Sequence, residues 1–170
     1  KNDEQIVIYD NSDVISSCRC WYNFIYFGHD PSLVHVLDGG LKKWTNEKKP
    51  VFNDLTNTIS SNYIANEKKG LVKNKKQIDE NINTNKFKVI DARSRERFEG
   101  KVPEPRKELR SGSIKNSFCL PFSELINEDY TFISKEKILD KFKLIKIKPD
   151  ENVVFTCGSG VTASVLALAY

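Results

Sequence analysis

NVVFTCGSGVTASVLALAY (Asn152–Tyr170) is the stretch that decides the fold, and it has three parts. A short run of β-branched and aromatic residues predicts a buried strand, two glycines predict a sharp loop, and an unbroken apolar run predicts a helix. The same order occurs near the start of the chain, in QIVIYDNSDVISSCRCWYNFIYF (Gln5–Phe27). The recurrence favours a duplicated fold, with coincidence as the alternative because strand–helix units are common.

The remaining elements extend both copies. After the first copy, whose helix should end at Gly28, SLVHVLDGG (Ser32–Gly40) predicts a strand and LKKWTNEKK (Leu41–Lys49) a helix closed by Pro50. Between the copies, LVKNKKQIDENINT (Leu71–Thr84) predicts the end of a strand and then a helix capped by Asn74. Two further strands are predicted in KFKVIDARS (Lys86–Ser94) and SIKNSFCLPF (Ser113–Phe122). A second helix is predicted in SKEKILDKFKLI (Ser134–Ile145). The last helix should begin at Ser134 and bury Ile138, Leu139, Phe142 and Ile145. Alternating strands and helices predict the α/β class, with a parallel sheet flanked by helices.

Apolar density drops after Pro50 and rises again near Leu71. We therefore predict a first domain at 1–51, a linker at 52–70 and a second domain at 71–170. If the two copies share one fold, the first lacks its opening half and the second lacks its end, so we expect both domains to be incomplete.

Composition excludes several classes of protein. The 170 residues are 39% hydrophobic and carry a formal charge of +4. No apolar run approaches the roughly 20 residues of a membrane-spanning helix, and the first residues do not resemble a signal peptide. The densest basic run, Asn66–Gln77, is interrupted by Asn and Gly without interleaved aromatics, which favours a solvated linker or helix start over a nucleic-acid surface. We expect a soluble protein that binds neither membrane nor nucleic acid.

The four cysteines do not form a metal-binding pattern. Cys18 and Cys20 should lie on opposite sides of a helix, and Cys119 in NSFCLPF should be a small core residue. Because CxxC pairs and a companion histidine pair are missing from the sequence, we predict no metal and a reduced intracellular protein.

Cys157 has the one unusual setting. It follows a predicted parallel strand, where ligands bind in α/β sheets, and it opens the loop that contains Gly158 and Gly160. Glycines let several backbone N–H groups converge, and the helix start near Val161 adds its positive end. Both effects lower the pKa of a thiol, so we predict a nucleophilic Cys157; a buried cysteine beside a tight turn is the alternative. A cysteine phosphatase is disfavoured, since its loop ends in an arginine that this one lacks.

CGSGVTA (Cys157–Ala163), together with Val89–Leu125, resembles the catalytic domain of 3-mercaptopyruvate sulfurtransferases within the tandem rhodanese family. Residues before Pro50 resemble the later part of that family's inactive first domain. The resemblance covers nearly the whole chain in order. It implies tandem rhodanese-like domains and an enzyme that moves sulfur from 3-mercaptopyruvate through a cysteine persulfide to a thiol acceptor such as thioredoxin or to cyanide.

The resemblance also implies residue roles. Cys157 accepts sulfur, and Ser159 belongs to a relay that assists proton movement. Arg97 and Arg106 grip the substrate carboxylate and ketone, and a planar guanidinium suits a carboxylate. The residues that cradle the persulfide through their N–H groups are Gly158, Gly160, Val161 and Thr162. No cofactor is implied, and the compartment is cytoplasmic or mitochondrial.

If the resemblance to the family is set aside, the arginines of DARSRERF (Asp91–Phe98) predict local ion pairs. Arg93, Arg95 and Arg97 should pair with Asp91, Glu96 or Glu99, and Arg93 keeps that role beside Asp91 in either interpretation. Asp10 occupies the place of Cys157 in the first copy, and a carboxylate cannot accept sulfur, so we expect that copy to be structural.

The chain also departs from the family pattern. The aspartate of the relay, and the strand and helix that follow the catalytic helix, have no counterpart in this sequence. We therefore expect the 170 residues alone to be unstable or inactive. Two other functions stay open: a thiosulfate:cyanide sulfurtransferase, disfavoured because the loop lacks basic residues at Gly158 and Ser159, and a non-catalytic rhodanese-fold binding module.

Overall fold

The computed structural model describes residues 2–54, 57, 60 and 62–170. The predicted linker at 52–70 lies partly outside the described residues. We call residues 2–54 the first half and residues 62–170 the second half. The elements of the first half are β1 (Ile6–Ile8), α1 (Ser17–Tyr26), β2 (Val34–Val36) and α2 (Gly40–Asn46). The elements of the second half are α3 (Lys75–Thr84), β3 (Lys88–Asp91), α4 (Arg95–Phe98), β4 (Phe118–Cys119), α5 (Lys135–Leu144), β5 (Val153–Thr156) and α6 (Val161–Ala169).

Each half contains a small parallel sheet. In the first half β1 pairs with β2, and Ile6 lies opposite Val34. In the second half the strand order is β4–β3–β5. Asp91 at the end of β3 lies opposite Thr156 at the end of β5, so the loops after these two strands leave the sheet at the same edge. The predicted α/β class with parallel sheets and flanking helices is confirmed.

The predicted helix ends agree with the structure. Asn74 and Gln77 form a reciprocal capping box at the start of α3, and the Ser134 hydroxyl accepts a hydrogen bond from the N–H of Lys137 at the start of α5. Gly28 follows α1 at a φ of +88°, and a Cβ there would collide with the carbonyl of Asn66. Glycine is therefore required where the chain leaves α1.

Two local predictions are wrong. The predicted strand end before Asn74 is a single 3₁₀ turn at Lys69–Leu71, because the backbone around it bonds to α1 rather than to a sheet. Lys68 donates its N–H to the carbonyl of Tyr26 at 2.8 Å, and the Tyr22 hydroxyl donates to the carbonyl of Leu71 at 2.6 Å. In α5, Leu139 is exposed, whereas Ile138, Phe142 and Ile145 pack on the core, since the buried face of this helix is narrower than its apolar stripe.

The main core lies in the second half. It contains seven buried residues from the sheet and its helices: Ile90, Ala92, Leu120, Leu125, Phe142, Ile147 and Leu166. Removing a side chain of leucine or isoleucine size from water stabilises the fold by about 1.5–3 kcal/mol. The largest members of this cluster therefore hold the helices against the β4–β3–β5 sheet.

A second cluster joins the two halves through α1 and α6. Ile15 and Cys18 from the first half bury themselves against Val165 of α6. Leu166, the next residue of α6, belongs to the main core instead. The helix is apolar on all sides because it packs between the sheet and α1. Cys18 is fully buried and Cys20 is exposed, so the prediction that they lie on opposite sides of a helix is confirmed.

Candidate active site

The loop after β5 turns sharply into α6. Cys157 follows the last residue of β5, and Gly160 caps α6 at a φ of +84°. An L-residue adopts this left-handed conformation only at a cost. In addition, a Cβ on Gly160 would collide with the guanidinium of Arg19, which reaches across from α1. The Arg19 side chain is flexible and can move aside, so the backbone conformation is what favours glycine at this position.

The Cys157 sulfur lies inside a ring of donors. The N–H of Gly160 donates to Sγ at 3.0 Å. Burial acts to raise the pKa of the Cys157 thiol, but hydrogen bonds from the Thr162 hydroxyl and from three backbone N–H groups outweigh it and hold the pKa below its ordinary value. Those three N–H groups belong to Ala163, Ser159 and Gly160. The half-buried sulfur is therefore held as a thiolate more readily than that of a free cysteine.

A cleft of about 300 Å³ opens in front of this sulfur. Seven of its lining residues were singled out from the sequence: Arg97, Arg106, Cys157, Gly158, Ser159, Val161 and Thr162. Gly160 was also predicted but does not line the cleft, because it faces the opposite side of the loop, beside Arg19 and Tyr22. It reaches the sulfur only through its N–H. The structure thus brings the loop and both arginines to one cleft.

The two arginines of the cleft differ in whether their guanidinium groups are already paired with a carboxylate. Arg97 belongs to α4, whose first turn is capped by Ser94, and its Nη2 would lie 3.2 Å from a Cβ placed on Gly158. Its guanidinium is bound by Glu104, through Nε at 3.2 Å and Nη2 at 2.5 Å. Arg106 is exposed, and within the described residues its side chain has no carboxylate partner. One cation is therefore fixed and neutralised by a partner, and the other is free to meet an anion.

Sequence reasoning missed Glu104 and Val14, which also line the cleft. Glu104 accepts hydrogen bonds from two arginines, Arg97 and Arg93, and its side chain is 3% exposed. The signal available was a lone acidic residue between two prolines, in VPEPR (Val102–Arg106). Val14 gave no signal, because it comes from the first half and reaches the cleft only through the packing of α1 against α6.

The ion-pair predictions for DARSRERF are partly confirmed. Arg93 pairs with Asp91 at 2.6 Å. Arg95 instead pairs with Glu124, 29 positions away, and Arg97 with Glu104, so the local partners predicted for these two are wrong. Both side chains point away from their own helix turn toward loops that the tertiary fold brings near, which spacing along the chain does not reveal.

The corresponding loop of the first half is filled by its own side chains. Asp10 accepts hydrogen bonds from the Ser12 hydroxyl, and from both the N–H (2.8 Å) and the hydroxyl (2.7 Å) of Ser16. The cavity beside it measures about 10 Å³, room for one water molecule at most. This loop presents no cleft and no nucleophile.

Neither a metal site nor a membrane-spanning helix is found in the described part of the chain. Within residues 2–54, 57, 60 and 62–170, no group of three or more His, Cys, Asp or Glu side chains could hold a metal ion. None of the helices described is long and apolar enough to cross a bilayer.

Comparison with known proteins identifies similar chains. The model of the rhodanese-like domain family matches residues 1–47 and 74–170. The 3-mercaptopyruvate sulfurtransferase of Mus musculus is 36% identical over 165 residues, which cover 96% of this chain and 55% of the mouse protein. The thiosulfate sulfurtransferase of Bos taurus is 34% identical over 171 residues, which cover 99% of this chain and 57% of the bovine protein.

A solved structure shares the fold. SseA from Escherichia coli, described as a 3-mercaptopyruvate sulfotransferase with the rhodanese fold, superposes with a TM-score of 0.84 at 27% identity. The match covers 99% of this chain and 62% of SseA. This chain spans about half the length of the curated relatives it matches.

Proposed function

This chain belongs to the rhodanese-like domain family, and we propose that it acts as a sulfurtransferase that takes sulfur from 3-mercaptopyruvate through a persulfide on Cys157. One observation carries the proposal: the Cys157 sulfur accepts the Gly160 N–H at 3.0 Å, and its pKa is lowered, at the end of a cleft that also contains Arg97 and Arg106. Such a site combines a stabilised thiolate with cations suited to a small carboxylate. The relatives named for 3-mercaptopyruvate support this choice of donor.

In the first step the Cys157 thiolate attacks the thiol sulfur of the donor. A new S–S bond forms while the C–S bond of the donor breaks, and the electron pair of that bond leaves on carbon as pyruvate enolate. The enolate takes up one proton to become pyruvate. Thiolate is the reactive form of cysteine, so the lowered pKa of Cys157 supports attack at neutral pH.

In the second step the acceptor removes the outer sulfur. An acceptor thiolate attacks it, a new S–S bond forms on the acceptor, and the S–S bond to Cys157 breaks to return the thiolate. A protein thiol such as thioredoxin is the acceptor we propose, with cyanide as an alternative. The site opens to solvent on the side of Arg106, Leu109 and Val14, which gives an incoming thiol a route to the sulfur.

Each cleft residue has a proposed role. Arg97 and Arg106 hold the carboxylate and the ketone of the donor, and Ser159, whose N–H reaches the sulfur, assists proton movement with its hydroxyl. The remaining loop residues, Gly158, Gly160, Val161 and Thr162, cradle the persulfide. We further propose that residues 71–170 are the catalytic domain, that 1–51 belong to an inactive partner domain joined by 52–70, and that the enzyme is cytoplasmic or mitochondrial.

Thiosulfate sulfurtransferase is the second candidate, because a relative of that name matches the chain almost as well. Thiosulfate is a dianion, and the loop from Cys157 to Val161 carries no basic side chain. This charge balance favours 3-mercaptopyruvate. The kcat/KM values for the two donors decide between them, and a preference for thiosulfate would reverse the assignment.

Intact-mass spectrometry after addition of 3-mercaptopyruvate tests the proposal. We expect a gain of about one sulfur atom, roughly 32 Da, which disappears in Cys157→Ser and returns to zero when an acceptor thiol is added. Cys119→Ser is the matched control, since that half-buried thiol lies outside the cleft, and it should still gain the sulfur. A protein that gains no mass, yet folds, would support a non-catalytic binding module instead.

A further inference from the structure

Glu104 is a buried carboxylate at the wall of the candidate cleft. It lies between Pro103 and Pro105, and its side chain is 3% exposed. The flanking prolines restrict the backbone on both sides of it. Among the described residues that line the cleft it is the only acidic one. A negatively charged side chain in the wall of a site that is proposed to bind anions needs a physical explanation.

Glu104 belongs to a chain of alternating charges. Arg93 binds Asp91 at 2.6 Å and Glu104 at 2.7 Å, and it also donates to the carbonyl of Gly112 at 2.8 Å. With a side chain only 10% exposed, Arg93 is held firmly by these three partners. Glu104 is therefore anchored from the protein interior before it meets Arg97 on its cleft side.

This anchoring decides which part of Arg97 is left for a ligand. Glu104 accepts from Nε and Nη2 of Arg97, the side-on edge of the guanidinium. Among the described residues Nη1 has no hydrogen-bond partner, and the 27% exposed side chain lies against Gly158 of the Cys157 loop. A bidentate carboxylate fixes the plane of a guanidinium, so Glu104 sets the direction in which Arg97 can donate.

The same contact sets the charge of the cleft. Arg97 and Arg106 contribute two positive charges and Glu104 contributes one negative charge. Asp91 and Arg93 cancel each other behind the wall. Apart from the Cys157 thiolate itself, the side chains around the sulfur therefore sum to one positive charge. A singly charged carboxylate is repelled less by that thiolate than a dianion is. A second negative charge on the ligand would enter a half-closed cleft without a partner, and that is costly.

We propose that Glu104 determines donor specificity: it positions Arg97 and limits the side chains around the sulfur to one net positive charge, so that singly charged sulfur donors are preferred to dianions. This inference rests on the proposed sulfurtransferase function. A purely structural role, in which Glu104 only holds Arg93 and Arg97 together, predicts an equal loss with every donor.

Glu104→Gln separates the two roles in the whole protein. It keeps the size of the side chain and removes the charge. We expect the ratio of kcat/KM for 3-mercaptopyruvate to kcat/KM for thiosulfate to fall by about tenfold, from one unit of charge acting a few ångströms from the ligand in a partly solvated cleft. The ratio is independent of the fraction of folded enzyme, so partial misfolding of the variant does not disturb it.

Two further variants serve as controls. Glu124→Gln removes a carboxylate that also binds two cations, Arg95 at 2.5 Å and Lys141 at 2.8 Å, outside the cleft, and it should leave the donor ratio unchanged. Glu104→Asp keeps the charge on a shorter side chain, so it should lower kcat through misplacement of Arg97 while the ratio stays near that of the wild type.

An unchanged ratio in Glu104→Gln, with both donors slowed equally, overturns the inference and leaves the proposed function standing. A wild-type protein that uses neither donor overturns the proposed function. In that case calorimetric binding of pyruvate and sulfate, with one and two negative charges, still tests the charge rule. Glu104→Gln must then gain affinity for sulfate relative to pyruvate, and an equal change for both ions contradicts it.

Discussion

The loops that follow β1 and β5 leave their strands in the same way, but the ionisable side chain is enclosed in the first loop and accessible in the second. Each leaves the carboxyl end of a parallel strand and turns into a helix, and these helices, α1 and α6, pack against each other through Cys18 and Val165. Asp10 opens the first loop and Cys157 opens the second. Both side chains are ionisable, and in both the hydrogen bonds of the loop hold the pKa below its ordinary value against burial.

The difference lies in which groups act as donors. Asp10 is bound mainly by the side chains of Ser12 and Ser16, and those side chains fill the space in front of it. Cys157 accepts the backbone N–H of Gly160, which approaches the sulfur without a side chain that would occupy the cleft. A glycine-rich loop therefore stabilises a charge and leaves it accessible, whereas a serine-rich loop stabilises a charge and seals it.

Gly160→Ala alters the position of the N–H that donates to the Cys157 sulfur in the second loop, and it should have the largest effect. A φ of +84° is strained for any residue with a Cβ, so we expect the backbone to shift and to displace the N–H that reaches Sγ. We expect persulfide formation to slow by about 100-fold, the scale of removing one preorganised donor. Single-turnover mass spectrometry, corrected for the folded fraction, measures this rate.

Gly40→Ala is the matched control in the first half. Gly40 has a φ of +56°, and a Cβ there would collide with the carbonyl of Asp10. We expect this variant to lose stability through similar backbone strain and to keep its rate per folded molecule. Equal slowing in both variants would show that general destabilisation, rather than the donor to Cys157, limits the reaction.

Alkylation rates compare the cysteines directly. Burial raises the pKa of Cys119 to about 11, against attraction by Arg95, whereas hydrogen bonds lower the pKa of Cys157. Because only the thiolate reacts, iodoacetamide should modify Cys157 at least about tenfold faster than Cys119 at pH 7.5. Peptide mass spectrometry over a pH series measures both rates.

The pH series also has a defined direction. The reactivity of Cys157 should fall as the pH drops through its lowered pKa, and that midpoint should lie below the midpoint of the same cysteine in denatured protein. In denatured protein the two cysteines should react at similar rates. A folded-state midpoint at or above the midpoint in denatured protein would contradict the stabilised thiolate.

Asp10→Asn tests the sealed loop and should have the smallest effect. Burial raises the pKa of Asp10, but hydrogen bonds from Ser12, Ser16 and Ser17 outweigh it. We expect a loss of about 1 kcal/mol in the free energy of unfolding at pH 7, reduced by solvent screening, with the persulfide rate unchanged. Urea denaturation measures the loss.

The sign of its pH dependence follows from the lowered folded-state pKa. The carboxylate contributes stability above the unfolded value of about 3.9, and this contribution is lost as the pH falls through the folded value. The difference between wild type and Asp10→Asn should therefore shrink below pH 4. A difference that persists at low pH would assign the effect to shape rather than charge.

Local signals predicted the elements well. The caps Asn74 and Ser134, the end of α1 at Gly28 and the pair of Asp91 with Arg93 all depend on residues within a few positions of one another, and all are present. The nucleophile loop was recognisable for the same reason, since strand, cysteine, glycines and helix are contiguous. The division into domains at 51 and 70 stays a prediction.

Contacts between distant segments were not predictable. Arg95 meets Glu124 and Arg97 meets Glu104 because separate loops converge above the edge of the sheet. The 3₁₀ turn at Lys69–Leu71 replaces a predicted strand end because the end of α1 supplies hydrogen-bond partners for the backbone around it. In each case the tertiary fold determines which residues meet, and their spacing along the sequence does not indicate the partner.

By itself, the sequence determined the α/β class, the strand–loop–helix unit that carries Cys157 and the glycine that lets backbone N–H groups face the sulfur, since periodicity, capping and left-handed conformations are properties of short segments. Only the tertiary structure decided that the first half supplies Arg19 of α1 and Val14 of the preceding loop to this site, and that Glu104 binds Arg97 and contributes to the charge of the cleft. Electrostatic balance depends on distances between side chains, and packing alone sets those distances.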